Sequence, residues 1–224
     1  MPDIIILMGP QGAGKGTQSQ MLAEKFSLPI VATGEMLREV AKTESPLGEQ
    51  IKAFQKSGDL VSDDILAEVI KTRTSEDDCK QGYILDGFPR TTPQMELLEQ
   101  IAAQQGHAIT VIKIKIPHEY LFQRLAGRRT CSKCGHIFNV YFKPSKQEGI
   151  CDICGGELFT RTDDTDEVIK HRLSEYTEKT KPLVNYYAQT GRVKEVSGLG
   201  TPDEVFENIR KIVVASLPHL FFVD

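Results

Sequence analysis

This sequence predicts a doubly wound, parallel α/β sheet, and three observations support that prediction. Five short apolar runs alternate with amphipathic helical patterns along 224 residues, the alternation that builds a parallel sheet with helices on both faces. The first run, Ile4-Ile5-Ile6-Leu7-Met8, enters a glycine-rich turn that passes straight into a helical pattern. The motifs richest in Gly, Asp and Arg fall where strands end, which is where such sheets hold ligands. A chain of this length fits one domain, with an insertion, and can bury a substantial core.

The turn reads Gly9-Pro10-Gln11-Gly12-Ala13-Gly14-Lys15-Gly16-Thr17. Strand, glycine turn and helix start are the context in which the G-x-x-x-x-G-K pattern cradles phosphate. Glycines let the backbone wrap an anion without Cβ clashes. Successive N–H groups point inward and the new helix presents its positive end. Lys15 adds a mobile charge for the outer phosphates. The usual pattern has Ser or Thr after the lysine. Here Gly16 holds that place, so Thr17 is the hydroxyl expected near a Mg²⁺ ion, directly or through water. The fold expected is therefore of the P-loop NTPase type.

The remaining elements follow in order. Leu28-Pro29-Ile30-Val31 reads as a second strand ending in Thr33-Gly34-Glu35-Met36-Leu37-Arg38, where Thr33 or Gly34 starts a helix. Residues 35–73 are helical in pattern, with breaks at Pro46 and at Ser57-Gly58-Asp59, and Ser62-Asp63-Asp64 resembles the cap of a third piece. These short helices are expected to form a flap outside the sheet rather than a crossover within it. Tyr83-Ile84-Leu85 is a third strand, ending in Asp86-Gly87-Phe88-Pro89-Arg90, with a helix over 93–105. Strand four covers 110–116. Pro117 then opens a helix to Arg128, which would set Arg124 and Arg128 one turn apart on one face. Periodicity disappears over 129–159, rich in Gly, Cys, Lys and aromatics, and this segment reads as an inserted small domain. Helices return at 166–179 and 182–190, followed by a strand at 193–196 and a helix over 202–215. The apolar tail at 217–223 is expected to pack on the core.

A formal net charge of −4 argues against a nucleic-acid binder. No apolar run approaches the length that spans a bilayer. No basic stretch precedes the first apolar run, so no signal peptide is expected and the default compartment is the cytoplasm. Four of the five cysteines, Cys131, Cys134, Cys151 and Cys154, form a C-x₂-C-x₁₆-C-x₂-C pattern. Two such knuckles close a tetrahedron around Zn²⁺ and leave no open position, so the zinc expected is structural. Gly135 and Gly155-Gly156 follow the pairs, where N–H groups would turn back towards sulfur. Cys79 stands outside this pattern as an ordinary cysteine.

An enzyme that transfers phosphoryl groups must hold two anions in line and neutralise the charge between them. Guanidinium groups suit that task because they stay ionised and fork onto two oxygens. Arg38, Arg90, Arg124, Arg128, Arg161 and Arg172 are placed for it. Asp86, ending the third strand, is placed to hold Mg²⁺-bound water. Asp163-Asp164 is placed to form salt bridges or to cap the next helix.

With these motifs assembled, the chain resembles the adenylate kinase family, of the long-lid bacterial type that carries zinc. The resemblance covers nearly the whole chain. It is carried by residues 9–17 with Gln18, by Thr33-Gly34-Glu35-Met36-Leu37-Arg38, by Asp86-Gly87-Phe88-Pro89-Arg90-Thr91 with Gln94, by Gly127-Arg128-Arg129, and by Arg161-Thr162-Asp163-Asp164. It implies ATP + AMP ⇌ 2 ADP with Mg²⁺, in a monomer without nucleic-acid or membrane partners. The implied core is 1–127 and 166–224, with a flap at 32–61 closing over AMP and a zinc lid at 128–165 closing over ATP. By position, ATP would meet Gly12, Ala13, Gly14, Lys15, Gly16, Thr17, Arg124, Arg128, Ile137, Phe138 and Gly200. Of these, Arg124 would stack on adenine, while Ile137 and Gly200 would act mainly through backbone. AMP would meet Thr33, Arg38, Asp59, Leu60, Val61, Gly87, Phe88, Arg90, Gln94, Arg161 and Arg172. Lys15, Arg90, Arg128, Arg161, Arg172 and Asp86 are the implied catalytic set. Gln11 stands where the family usually has proline, and Glu35 where it usually has aspartate. Two other readings compete. One is another nucleoside monophosphate kinase, for UMP or CMP or using GTP; Thr33 favours AMP, and Gln18 with the zinc lid favours ATP. The other is a P-loop switch carrying a zinc-ribbon binding module, against which the intact acceptor motifs count.

Overall fold

The computed structural model describes residues 3–216, so the tail at 217–223 lies outside the described residues. Strand β1 (Asp3–Met8) leads through the glycine turn into α1 (Lys15–Phe26) and β2 (Ile30–Ala32). Helices α2 (Thr33–Ala41), α3 (Pro46–Ser57) and α4 (Asp63–Thr74) precede β3 (Gly82–Asp86), which α5 (Thr92–Gln105), β4 (Ala108–Lys115) and α6 (His118–Ala126) follow. The insertion contributes β5 (Arg128–Cys131), β6 (Ile137–Asn139) and β7 (Leu158–Phe159). The chain ends with α7 (Asp166–Glu175), a π-helical turn (Tyr176–Thr180), α8 (Lys181–Gln189), β8 (Val193–Ser197) and α9 (Pro202–Ser216). No described helix is long and apolar enough to cross a membrane.

The sheet runs β2-β3-β1-β4-β8, and every pairing is parallel. β1 is buried along its whole length, which explains its unbroken apolar run: helices cover both faces. Ile4, Ile6 and Met8 join Tyr83, Leu98 and Tyr187 in one core, whereas Ile5 and Leu7 meet Leu22 and Ile209 in another. That division follows from the two-residue period of a strand, and it makes the sheet doubly wound as expected.

Three local expectations are corrected. Helices α2–α4 connect the adjacent parallel strands β2 and β3, so they form a crossover as well as a projection. A parallel pair needs a long connection, and α4 covers the sheet with Leu66 and Ile70. Ser62 occupies the position before α4, but its side chain makes no capping bond. Helix α6 ends at Ala126 rather than Arg128, so Arg128 opens a strand and shares no helix face with Arg124. The cause is the insertion itself: Asn139 Nδ2 donates to the Arg124 carbonyl at 2.9 Å, taking an exposed carbonyl of the last turn. A Cβ at Gly127 would lie 2.5 Å from Tyr141 Cδ2, so only glycine fits where the insertion folds against the helix end. The insertion is a three-stranded antiparallel sheet of order β6-β5-β7.

Candidate functional site

The glycine turn is built as its sequence requires. Gly14 caps α1 with φ 96°, in the left-handed region, where a Cβ is strained. Lys15 folds back over the turn, and its Nζ donates to the carbonyls of Gly9 at 2.8 Å and Pro10 at 3.0 Å. Burial lowers the Lys15 ammonium to about 8; nearby Asp86 opposes the shift, and Arg90, Arg172 and Arg128 reinforce it.

Asp86 ends β3 beside the turn, with Oδ2 3.4 Å from where a Gly16 Cβ would stand. Its carbonyl accepts from the Thr33 hydroxyl at 3.3 Å. The next residue, Gly87, has φ 84°, and a side chain there would meet Thr33 Oγ1 at 2.8 Å and Arg90 Nη2 at 2.9 Å. This turn holds Arg90, whose Nε donates to the Gly87 carbonyl at 2.7 Å. Burial brings Arg90 down to about 10, with Arg172 the next cause.

Arg128 and Arg172 are held by the acidic pair Asp163-Asp164, which lies between them in the chain. Arg128 bonds Asp164 with both Nε and Nη2, and Arg172 Nη1 bonds Asp163 Oδ2 at 2.8 Å. Asp163-Asp164 therefore forms salt bridges, and Thr165 does the capping of α7. Arg161 Nε donates to the Thr130 hydroxyl at 2.9 Å; burial, then Arg128 and Arg38, lower it to about 10. Lys15, Arg38, Arg90, Arg128, Arg161 and Arg172 thus feel one another's charge, against carboxylates at Asp86, Asp163 and Asp164. Six cationic side chains facing three carboxylates in a half-buried space leave an excess of positive charge, an arrangement whose chemistry suits a polyphosphate. A cleft between Gly9, Gln11, Lys15, Gly87, Arg90 and Thr180 opens among them.

Of the other expected residues, Arg124 borders the glycine turn, with Cβ 3.6 Å from where a Gly12 Cβ would stand and Nη1 4.0 Å from where a Gly14 Cβ would stand. Arg124 bonds the Gly198 carbonyl at 3.0 Å and lies 5.8 Å from the Phe142 ring centroid. Phe138 is buried in the insertion with Cys131 and Cys151, edge-on to His136, while Ile137 is half-buried beside it. Phe88 and Val61 are core residues, so their side chains serve packing and only their backbone is left for a ligand. Leu60 is half-buried. Asp59 turns to α7, 2.8 Å from His171 Nε2. Gly200 precedes α9, where Thr201 N donates to Glu204 Oε2 at 2.8 Å. Cys79 is fully buried, as an ordinary core cysteine would be.

Two roles escaped the sequence reading. Thr180 Oγ1 donates to the Arg90 carbonyl at 3.0 Å from the π-helical turn. The available signal was Pro182, which lacks an N–H and disturbs the turn before it. Asp63, expected only as part of a helix cap, accepts at Oδ1 from Thr91 Oγ1 and Gln94 Nε2; nothing in the local pattern marks that role.

The four expected metal ligands converge: the sulfurs of Cys131, Cys134, Cys151 and Cys154 all lie within 4.8 Å of one another. Tetrahedral Zn–S bonds of about 2.3 Å need S···S distances of about 3.8 Å. Cys131–Cys154 at 3.5 Å and Cys134–Cys151 at 3.7 Å fit that need. The N–H groups of Lys133 and Cys134 are aimed at Cys131 Sγ and that of His136 at Cys134, in place of the glycines expected there. Gly135 and Gly155 donate instead to the carbonyls of Cys131 and Cys151. Gly156 has a separate role, because a Cβ there would press on Cys131 Sγ at 2.9 Å. For Mg²⁺ the donor set also fits: the Asp86 carboxylate beside the turn and the hydroxyl of Thr17, in the first turn of α1, are hard oxygen donors.

Comparison with known proteins places the chain among relatives of one kind. Residues 7–192 match the adenylate kinase family model. The chain is 44% identical over 210 residues to an adenylate kinase of Thermodesulfovibrio yellowstonii, covering 93% of this chain and 98% of that one. It is 44% identical to an adenylate kinase of Clostridium botulinum (strain Loch Maree / Type A3), covering 93% and 97%. A third relative, the adenylate kinase of Carboxydothermus hydrogenoformans, is 44% identical over 207 residues, covering 92% and 97%.

Proposed function

The chain belongs to the adenylate kinase family, and on that premise we propose how its residues carry out the family's reaction, ATP + AMP ⇌ 2 ADP. The observation that carries the proposal is the convergence of six cationic side chains at the ends of β1 and β3. The glycine turn, residues 12–17, receives the ATP phosphates on its N–H groups, and Lys15 leaves the Gly9 and Pro10 carbonyls to follow the migrating group. Arg128, Arg161 and Arg172 close on the phosphates from the lid side. Arg90 and Arg38 hold the AMP phosphate, between Thr33 and Gly87. Arg124 and the backbone at 137 and 200 flank the ATP adenine. Mg²⁺, when bound, neutralises charge on the ATP oxygens near Asp86 and Thr17. Zn²⁺ is the metal that four clustered thiolates favour.

The flap at 32–61 and the lid at 128–165 are assigned to close over AMP and ATP. Closure excludes water, which would otherwise compete with AMP as acceptor. We take the enzyme to be a monomer, as the family resemblance implies. A four-thiolate site persists best in a reducing compartment, which supports the cytoplasm. A coupled assay offering AMP, CMP, UMP and GMP tests the acceptor assignment: AMP should be used far better than the other three, and equal use of a pyrimidine nucleotide would refute it.

Arg90→Ala should mainly injure AMP handling, because a charge-assisted contact to its phosphate contributes more than a neutral hydrogen bond. Calorimetric titration should show AMP binding weakened on the order of 10-fold to 100-fold, with ATP nearly unchanged. Equal losses for both nucleotides would move Arg90 out of the acceptor site into the shared clamp.

A further inference from the structure

Asp63 is expected from the sequence only as part of a helix cap, yet two groups from the acceptor side converge on one of its oxygens. Oδ1 accepts from Gln94 Nε2 at 2.7 Å and from the Thr91 hydroxyl at 2.9 Å. Gln94 is 1% exposed, and its Oε1 accepts from the Arg90 N–H at 2.8 Å. A chain of bonds thus runs from the first turn of α4, just past the flap, through the Gln94 amide to the backbone of Arg90. A carboxylate only accepts and a backbone N–H only donates, so these two partners decide which way round the amide lies. The opposite orientation would set Nε2 against an N–H and Oε1 against a carboxylate, replacing two bonds by two repulsions in a buried place.

We propose that Asp63 is a positioning residue that fixes the polarity of the Gln94 amide, and thereby selects an acceptor base with adenine's order of donor and acceptor. The proposal rests on the assignment of Gln94 to the acceptor site. Beyond the two bonds described, the amide retains one N–H and one carbonyl lone pair. Adenine presents an acceptor, N1, beside a donor, its 6-amino group. Hypoxanthine and guanine present a donor, N1–H, beside an acceptor, O6. An amide locked in one orientation suits the first order and opposes the second. Without Asp63 only the Arg90 N–H opposes rotation, so the amide can suit either order at the loss of one bond, and Asp63 supplies the rest of the discrimination without touching the base.

AMP and IMP differ only at this edge, so they make the test. Kinetics with each acceptor would be measured for the wild type, Asp63→Ala, Asp63→Asn and Gln94→Ala, with thermal melts of all four. Asp63→Ala should raise the KM for AMP about tenfold and shrink the AMP-over-IMP preference in kcat/KM by a similar factor, the loss of one charge-assisted hydrogen bond. The KM for ATP should change far less. Asp63→Asn retains an acceptor oxygen of the same size and should restore most of the preference. If Gln94→Ala loses the preference while Asp63→Ala keeps it, the acceptor-site assignment stands and the role of Asp63 is refuted. If neither variant alters the preference, Gln94 does not meet the base and both ideas fall. Parallel loss with AMP and IMP, or a lowered melting temperature with the preference intact, would make Asp63 a stabilising residue only and overturn the proposal.

Discussion

Lys15→Met should abolish phosphoryl transfer while leaving the fold intact, with turnover falling on the order of 10²–10⁵. Methionine keeps the unbranched stem and removes the one charge that can travel with the migrating phosphoryl group. Lys15 Nζ donates to carbonyls of its own turn rather than to a carboxylate, and the nearby Asp86 keeps Arg90 as a neighbouring cation when Lys15 is lost. The same residue predicts a pH effect. Burial holds Lys15 at about 8 against an ordinary 10.5, so the free enzyme loses this charge as pH rises through about 8. The kcat/KM for ATP should decline over that limb. Stability moves the other way: between pH 8 and 10.5 the unfolded chain keeps a proton that the folded state has shed, so unfolding free energy rises with pH across that window. Urea melts from pH 7.5 to 10.5 should show this contribution in the wild type and lack it in Lys15→Met. A variant retaining more than about a tenth of wild-type turnover would sink the phosphate-turn assignment.

What was legible in the sequence is what local chemistry dictates. β1 announces itself because a strand covered on both faces has no polar alternation to hide it. The glycine turn and the cysteine knuckles are legible because phosphate and zinc each demand a fixed residue at a fixed spacing. Contacts set by elements far apart in the chain were not. The end of α6 is decided by Asn139, 15 residues beyond the carbonyl it caps, so apolar periodicity alone carries the helix two residues too far. Asp63 contacts Gln94 across 31 residues and Thr180 contacts Arg90 across 90; no local pattern encodes either. Asp163-Asp164 is an intermediate case. The pair is visible in sequence, but its bonds to Arg128 and Arg172 depend on how the lid returns to the core.

Removing metal from the insertion should produce the largest loss of stability. Its buried cluster consists of Cys131, Phe138 and Cys151, with Cys154 and Leu158 partly buried, so three of five members are proposed ligands. Such a segment cannot offset its ordering entropy by apolar burial and relies on the metal for its fold. The purified protein should therefore contain about one equivalent of zinc. Chelation should lower the melting temperature on the order of 10 °C, as expected if the bound metal contributes roughly 3–5 kcal/mol to a domain of this size. Cys151→Ser should lose metal and thermal stability first and activity second. Transfer should persist at temperatures where the metal-free lid stays folded, because four thiolates leave the metal no open position for substrate. The arginines explain why activity must eventually follow. Arg128 opens β5 and Arg161 bonds Thr130 on the same strand, so unfolding the insertion withdraws two cations from the cluster. Activity after chelation should accordingly track the melting curve of the lid, read by circular dichroism, rather than the chelator concentration. Instant loss of turnover at low temperature, with secondary structure intact, would instead tie the metal to the reaction and refute the separation of a structural lid from the cationic cluster.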